Sequence, residues 1–314
     1  MDWYIRTNIG GTKKFKGCEK MRKSSINKSK YGFYFVVPFF VSFFIFGLAP
    51  IIYSLYLSFT KWDGFSDPVF VGLANYSRLI HDTFFYKAIG NTLIIWILSI
   101  IPQLILALAL AMILNEKFIK GKHFFRAVYY FPNIITPVTL GVLFSLMFDW
   151  QTGSVNKLLM SIGLIDDPVN WFNSPWLSRI IVAGVIMWQY FGFNMLVFIA
   201  GLQSIPEELY EAAEVDGASK FTIATKITLP LLKPVLLFTF ITSIIGGLQL
   251  FDAPLMLGNG PDNSTLTMVM YLYQTAFKNF DYSYGAAIAY AIFVIILIFS
   301  LISIKFSKMN KVEQ

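Results

Sequence analysis

Six stretches of this chain, residues 33–59, 88–114, 128–148, 180–201, 235–250 and 284–304, contain no Asp, Glu, Lys, Arg or His. A helix rises about 1.5 Å per residue, so apolar runs of this kind match the roughly 30 Å hydrocarbon layer of a bilayer. The alternation of polar and apolar residues that marks a barrel strand is missing. The predicted fold class is therefore an all-α membrane protein with six transmembrane helices. Composition agrees, because a chain that is 56% hydrophobic and 14% charged has too little charge to cover the surface of a soluble domain.

The 25 Lys and Arg residues orient these helices. Nine precede the first stretch; others lie between the second and third (Lys117, Lys120, Lys122, Arg126), between the fourth and fifth (Lys220, Lys226, Lys233) and in the tail (Lys305, Lys308, Lys311). Only Lys61, Arg78, Lys87, Lys157, Arg179 and Lys278 fall in the alternate connections. Basic residues favour the cytoplasmic side, which places both termini there. The net charge of +7 is then a topology signal dispersed over separate loops, and nucleic-acid binding is not indicated. Spans without ionisable groups count against an ion-coupled carrier or a proton pump. Cys18 is the only cysteine, so no intrachain disulfide forms, and His81 and His123 fall on opposite sides of the membrane. No metal-ligand cluster or nucleophile motif lies in the spans, which argues against a membrane-embedded enzyme.

Three regions are predicted: a basic cytoplasmic arm over 1–30, a six-helix domain over 31–306 with a cytoplasmic loop at 202–233, and a cytoplasmic tail over 307–314. The arm has no apolar core of signal-peptide type. Met21 opens "MRKSSINKSKYGFYF" as a start in its own right, so residues 1–20 are expected to be a dispensable or mis-assigned extension. The outer connections, about 60–87, 149–179 and 251–283, carry Gly, Pro, Asn and Asp with Trp62, Trp150, Trp171 and Trp176. Those tryptophans read as an interfacial belt. None of the connections is long enough for a globular domain, so an external ligand-capturing module would be another polypeptide.

The loop between the fourth and fifth spans reads "SIPEELYEAAEVDGASKFTIATKITLP". Ser204 precedes Glu207 at capping-box spacing, and Pro206 suits a first helical turn. Leu209, Ala212 and Ala213 recur at helical spacing, and Glu207, Glu208, Glu211, Glu214 and Asp216 make this short helix acidic. Helices that rest on anionic lipid favour Lys and Arg instead. Gly217 suits a left-handed stop, and a second helix is predicted from Ser219 to just before Pro230. Two short helices meeting at Gly217 and continuous with membrane spans form a bracket able to transmit a push.

These residues resemble the EAA loop of binding-protein-dependent ABC importers, whose pattern is Glu-Ala-Ala, three residues, Gly, nine residues, Ile, one residue, Leu-Pro. Glu211, Ala212, Ala213, Gly217, Ile227, Leu229 and Pro230 occupy every place. The likeness to the carbohydrate-uptake branch, with its maltose-type and glycerol-phosphate-type permeases, runs from about residue 31 over nearly the whole chain. It takes in "NTL" at 91–93, "YYFPNIITPV" at 129–138, and "GNGP" at 258–261. Relatives often have Gly-Gly-Pro at the last of these, and Asn259 is expected to keep the turn because it tolerates left-handed backbone angles.

The resemblance implies a type I ABC importer permease fold in a bacterial-type inner membrane, and a translocation subunit of an ATP-driven sugar importer. The implied partners are a second related permease, two ATPase subunits and an extracellular sugar-binding protein. Glu211, Ala212, Ala213, Asp216, Gly217, Leu229 and Pro230 would couple to the ATPase, with Glu211 engaging a basic residue and Gly217 allowing the bend. The chain has no Gly-x-x-x-x-Gly-Lys-Ser/Thr loop, so it is not read as an enzyme, and no cofactor is expected on it; ATP and Mg belong to the ATPase. Sugars offer hydroxyls and apolar ring faces, so pathway candidates pair amides or a carboxylate with aromatic rings. These are Trp188, Gln189, Tyr190, Phe193 and Asn194 on the fourth span, and Gln249 and Asp252 at the outer part of the fifth. Import of another small solute, such as a glycerol phosphate or a polyamine, is the nearest alternative. A stand-alone secondary carrier is more distant.

Overall fold

The computed structural model describes residues 34–116 and 118–309, with side chains to residue 305. The basic arm, Met21, Cys18, Lys117 and the end of the tail lie outside the described residues. The chain divides into two units, Met1–Tyr56 and Leu57–Gln314. In the first, the described residues form most of helix α1 (Tyr34–Ser58), and no residue from 34 to 56 is buried.

The second unit opens with a small antiparallel pair, β1 (Thr60–Lys61) and β2 (Val69–Phe70), and the short helix α2 (Ala74–Ile80). The long helix α3 (Thr83–Asn115) follows, then α4 (Lys122–Ile134), α5 (Pro137–Met147), α6 (Ser154–Ser161) and α7 (Pro175–Leu202). After the loop helix α8 (Glu207–Val215) comes α9 (Lys220–Gly247), the short α10 (Asp252–Leu257), α11 (Met268–Tyr273, prolonged by a π-turn at Gln274–Lys278) and α12 (Tyr282–Met309).

Helix α3 is the axis of this unit, since it contributes to all three apolar cores. Toward one end, Ile95 meets Val182, Val185 and Ile186 of α7 with Leu140 of α5 and Ala253 of α10. Toward the other, Ala107, Ala111 and Leu114 meet Met195, Phe198 and Leu202 of α7 and Leu232 of α9. The contacts advance in the same direction along both helices, so α3 and α7 run parallel. On another face of α3, Ala88, Trp96 and Ile100 pack with Ile244 of α9, Met268 and Met270 of α11, and Tyr284 and Ile288 of α12.

Among the described residues, five helices are long and apolar enough to cross a membrane: α1, α3, α7, α9 and α12. The predicted third span departs from a single rod. It is two helices, α4 and α5, that meet at 91° and make a sixth crossing only when taken together. Pro137 accounts for the break, because a residue before proline is driven out of helical geometry. Thr136 is extended (ψ 141°), and its Oγ1 accepts the Thr139 amide at 3.3 Å to start α5. Helix α4 then crosses α7 very closely at Gly192, where an added Cβ would lie 1.8 Å from the Tyr129 carbonyl oxygen.

At the end of α3 remote from the 203–219 loop, Asp82 caps the helix. Its Oδ1 accepts the amides of Phe84 (2.9 Å) and Phe85 (3.2 Å), and its Oδ2 accepts the hydroxyls of Tyr271 and Tyr284. Arg78 reaches Asp281 at 2.7 Å and lies 3.8 Å over the Tyr284 ring. Desolvation of Asp82 acts to raise its pKa, but the Tyr271 and Tyr284 hydroxyls and the two amides outweigh it and hold the carboxyl below the usual range. Burial, with the neighbouring carboxylate, pushes Tyr271 up to about 12.

Two measurements check this packing. Gly192→Ala drives a methyl into backbone and should destabilise by about 1–3 kcal/mol, the usual range for overpacking. Gly184→Ala, with nothing within 4 Å, should not lower the thermal midpoint in detergent, because alanine is the better helix former. Asp82 has a depressed folded pKa, so its stabilisation is complete above the unfolded value near ~3.9 and disappears as pH falls further. The midpoint gap between wild type and Asp82→Asn should therefore be constant from pH 7 to about 5 and narrow below about 4.

Candidate functional site

The loop at 203–219 is an ordered bracket. Helix α8 starts at Glu207, with Pro206 extended at the capping position (ψ 134°). The predicted cap by Ser204 does not form. Its hydroxyl turns back and donates to the Gly201 carbonyl at 2.7 Å, where it closes the end of α7. Gly217 stops α8 as predicted, with φ +74°. The Ala218 amide donates to the Ala213 carbonyl (2.9 Å) and the Gly217 amide to the Glu214 carbonyl (3.0 Å), the bond pair of a left-handed helix stop.

Ser219, the predicted start of the second helix, is its cap, with its Oγ accepting the Thr222 amide at 3.2 Å. That helix does not end before Pro230, however. It runs from Lys220 through Pro230 and Pro234 to Gly247, so the second arm of the bracket and the fifth span are one rod. Proline removes an amide donor and crowds the carbonyl four residues back. The π-turn at Ala224–Thr228 relieves this, with the Leu229 amide bonded to the Ala224 carbonyl five residues earlier.

Within the bracket, Ala213 is buried, whereas Glu211, Ala212, Asp216, Gly217 and Pro230 are exposed and Leu229 is half-buried. Two contacts brace it: Tyr210 Oη lies 3.4 Å from Thr228 Oγ1, and Lys220 Nζ lies 3.4 Å from Glu116 Oε1 at the end of α3. Val215 and Phe221, 87% and 79% exposed, flank Gly217 and add an apolar knob to the acidic surface. Sequence reading missed both, although each is a large apolar residue beside the acidic stretch of the loop.

The pathway candidates separate into two groups. Tyr190 and Phe193 lie on the exposed stripe of α7, while Gln189 and Asn194, buried, flank that stripe. Trp188 points elsewhere, packing edge-on against Phe144 of α5 at 5.7 Å. Gln189 meets the broken span through its backbone, its carbonyl accepting from Asn133 Nδ2 at 3.4 Å. Gln249 is not on the fifth span but exposed in the turn that follows Gly247, and Asp252 opens α10. Its neighbour Ala253 shares a core with Val182, Val185 and Ile186 of α7, so α10 lies against α7 about one turn before Tyr190.

Beyond α10, residues 258–268 turn back toward α3 and α7. Gly258, Gly260, Asp262 and Asn263 take left-handed angles, and Asn259 does not. Asn259 holds the turn by bonds instead: its carbonyl accepts the Thr265 amide at 2.9 Å and its Oδ1 accepts from Gln274 at 3.2 Å. The predicted 180–201 span omits Arg179, which stands one turn inside α7. Arg179 donates to Asn91 Oδ1 (2.9 Å) and to the Ser264 carbonyl (3.1 Å).

Residues 27–307 match the family described as "Binding-protein-dependent transport system inner membrane component". The arabinooligosaccharides transport system permease protein AraP of Bacillus subtilis is 37% identical over 290 residues, 91% of each chain. The lactose transport system permease protein LacF of Rhizobium radiobacter is 36% identical over 273 residues, 86% of this chain and 91% of the relative. Among solved structures, a bacterial ABC transporter involved in the import of the acidic polysaccharide alginate aligns with a TM-score of 0.79 at 26% identity, covering 92% of this chain and 99% of that one. A family match over most of the chain and relatives above 30% identity on nearly their full length agree with the helical architecture, and the chain belongs to the family of binding-protein-dependent transport system inner membrane components.

Proposed function

We propose that this chain is the translocation-pathway subunit of an ATP-driven, binding-protein-dependent sugar importer. Relatives named for arabinooligosaccharide and lactose transport and a neighbour that imports alginate support a saccharide as the solute. A second alginate importer structure, in complex with a pentasaccharide-bound periplasmic protein, aligns with the same TM-score of 0.79 and supports an external binding protein as partner. The remaining partners in this reading are a second permease and two ATPase subunits, which carry the ATP and Mg. The loop-bearing end and both termini face the cytoplasm, as the basic residues favour.

The observation that carries this reading is the unbroken rod from Lys220 to Gly247. A partner that moves the bracket moves the fifth span with it, since no flexible joint separates them. The exposed surface around Gly217 fits an ATPase cleft: Glu211 and Asp216 offer carboxylates to basic side chains, Ala212 permits close approach, and Val215 and Phe221 supply apolar area. Burying one such side chain contributes about 1.5–3 kcal/mol. On the pathway side, Tyr190 and Phe193 present ring faces and Asp252 and Gln249 present hydrogen-bonding groups to a hydroxyl-rich solute.

Two substitutions test the coupling. Gly217→Val forces a β-branched residue to φ +74°, a strain of about 1–3 kcal/mol. Nothing lies within 4 Å to obstruct the new side chain, so insertion and yield should persist while solute-stimulated ATP hydrolysis falls. Normal turnover at full membrane expression would contradict the assignment. Val215→Asp should weaken ATPase-subunit retention on purification by about tenfold or more, given the apolar burial lost, with the permease itself still monodisperse.

A further inference from the structure

Residues 248–268 form a hairpin laid along one face of α7. Its outer strand is gripped by backbone atoms. Asn91 of α3, only 2% exposed, donates through Nδ2 to the carbonyls of Asn263 (2.7 Å) and Leu266 (3.1 Å) and accepts from Arg179 through Oδ1. Both of its amide hydrogens and its oxygen are thereby engaged. Arg179 adds the Ser264 carbonyl, and Thr92 Oγ1 accepts the Met268 amide at 3.0 Å. A grip on carbonyls and amides fixes where the strand runs whatever side chains it carries.

The grip passes on to the other limb of the hairpin. Thr267, fully buried, donates through Oγ1 to the Leu250 carbonyl at 2.6 Å, one residue from Gln249 and two from Asp252. Arg179 and Tyr190 are eleven residues apart on α7, which is three turns and the same face, about 16 Å along the axis. The hairpin therefore meets this face at two levels, Ser264 at Arg179 and Ala253, next to Asp252, in the core that holds Val182 and Ile186, the latter one turn before Tyr190. Between them α10 is wedged against α5 and α7 through Ala253 and Leu257.

We infer that Arg179 and Asn91 are positioning residues of the translocation pathway: their clasp on the 263–266 carbonyls sets the placement of Gln249 and Asp252 opposite Tyr190 and Phe193. This rests on the transport function proposed above. The two residues do not touch the solute in this scheme. They determine whether the polar groups of the hairpin stand close enough to the aromatic stripe for both to engage one sugar ring.

The test has two arms on the assembled importer in proteoliposomes, with Cys18→Ser as background. In the first, Tyr190→Cys with Asp252→Cys is treated with a short bifunctional thiol reagent. The parent pair should crosslink, and adding Arg179→Gln or Asn91→Ala should cut the yield about tenfold, as loss of a charge-assisted bond implies, with Arg179→Lys restoring part of it. In the second arm the clasp variants keep their native cysteine-free pathway, and the ATP consumed per sugar delivered is measured. It should rise in Arg179→Gln and Asn91→Ala and return toward wild type in Arg179→Lys, whereas simple loss of folded protein lowers both rates and leaves the ratio unchanged. Crosslinking that fails in the parent, or that is the same with and without the clasp, overturns the positioning role. A wild-type complex that moves no sugar overturns the transport assignment alone, since the crosslinking arm needs no transport.

Discussion

The packing of α3 against α7 is the constraint on which the rest of the second unit depends. In a bilayer, lipid tails are as apolar as the side chains, so helices associate through close contact and buried hydrogen bonds. The seam meets that requirement with alanines: Ala107 and Ala111 are fully buried beside Met195 and Phe198. Because α3 enters all three cores, α5, α9, α10, α11 and α12 are each located by what they share with it. Parallel helices cannot be joined by a short turn, and the α4–α6 segment is the return path that this pairing requires.

The uncharged runs were legible because each is long and flanked by polar residues, and the observed helices extend them by only a few residues at α3, α7 and α12. Direction was not legible. Hydropathy counts how many apolar residues follow one another and is blind to a 91° turn among them, although Pro137 carried that information. Pro230 misled in the opposite sense. A proline ends a helix only where the backbone cannot widen around it, and the π-turn at Ala224–Thr228 widens it.

Side-chain roles followed the same division. Gly217 was readable because a left-handed stop leaves few residues to choose from. Ser204 was not, since its hydroxyl has a nearer acceptor in the turn that ends α7. Trp188 and Tyr190, two residues apart, face different neighbours on a helix, and only the packing of Phe144 on Trp188 tells which of them is spoken for. Arg179 lay one residue outside the predicted span and so counted only as a loop charge, yet it is a cation inside α7 with two acceptors.

The placement of the irregular backbone has a mechanical consequence. A displacement applied at Gly217 reaches α9 directly, and the brace from Lys220 to Glu116 offers it a second, weaker route into α3, because exposed ion pairs contribute little. The irregular point along α9 before Pro234 is the π-turn, and Tyr210 braces its last residue, Thr228. In the coupling proposed above, such a displacement would enter the span as a tilt of the whole rod. Helix α7 stands differently: at Gly192 it is in backbone contact with α4, where no side chain is present to yield. A rod that tilts beside one that is pinned changes their separation most at the far end, which is where α10 and the 258–268 segment join the fifth span to α7.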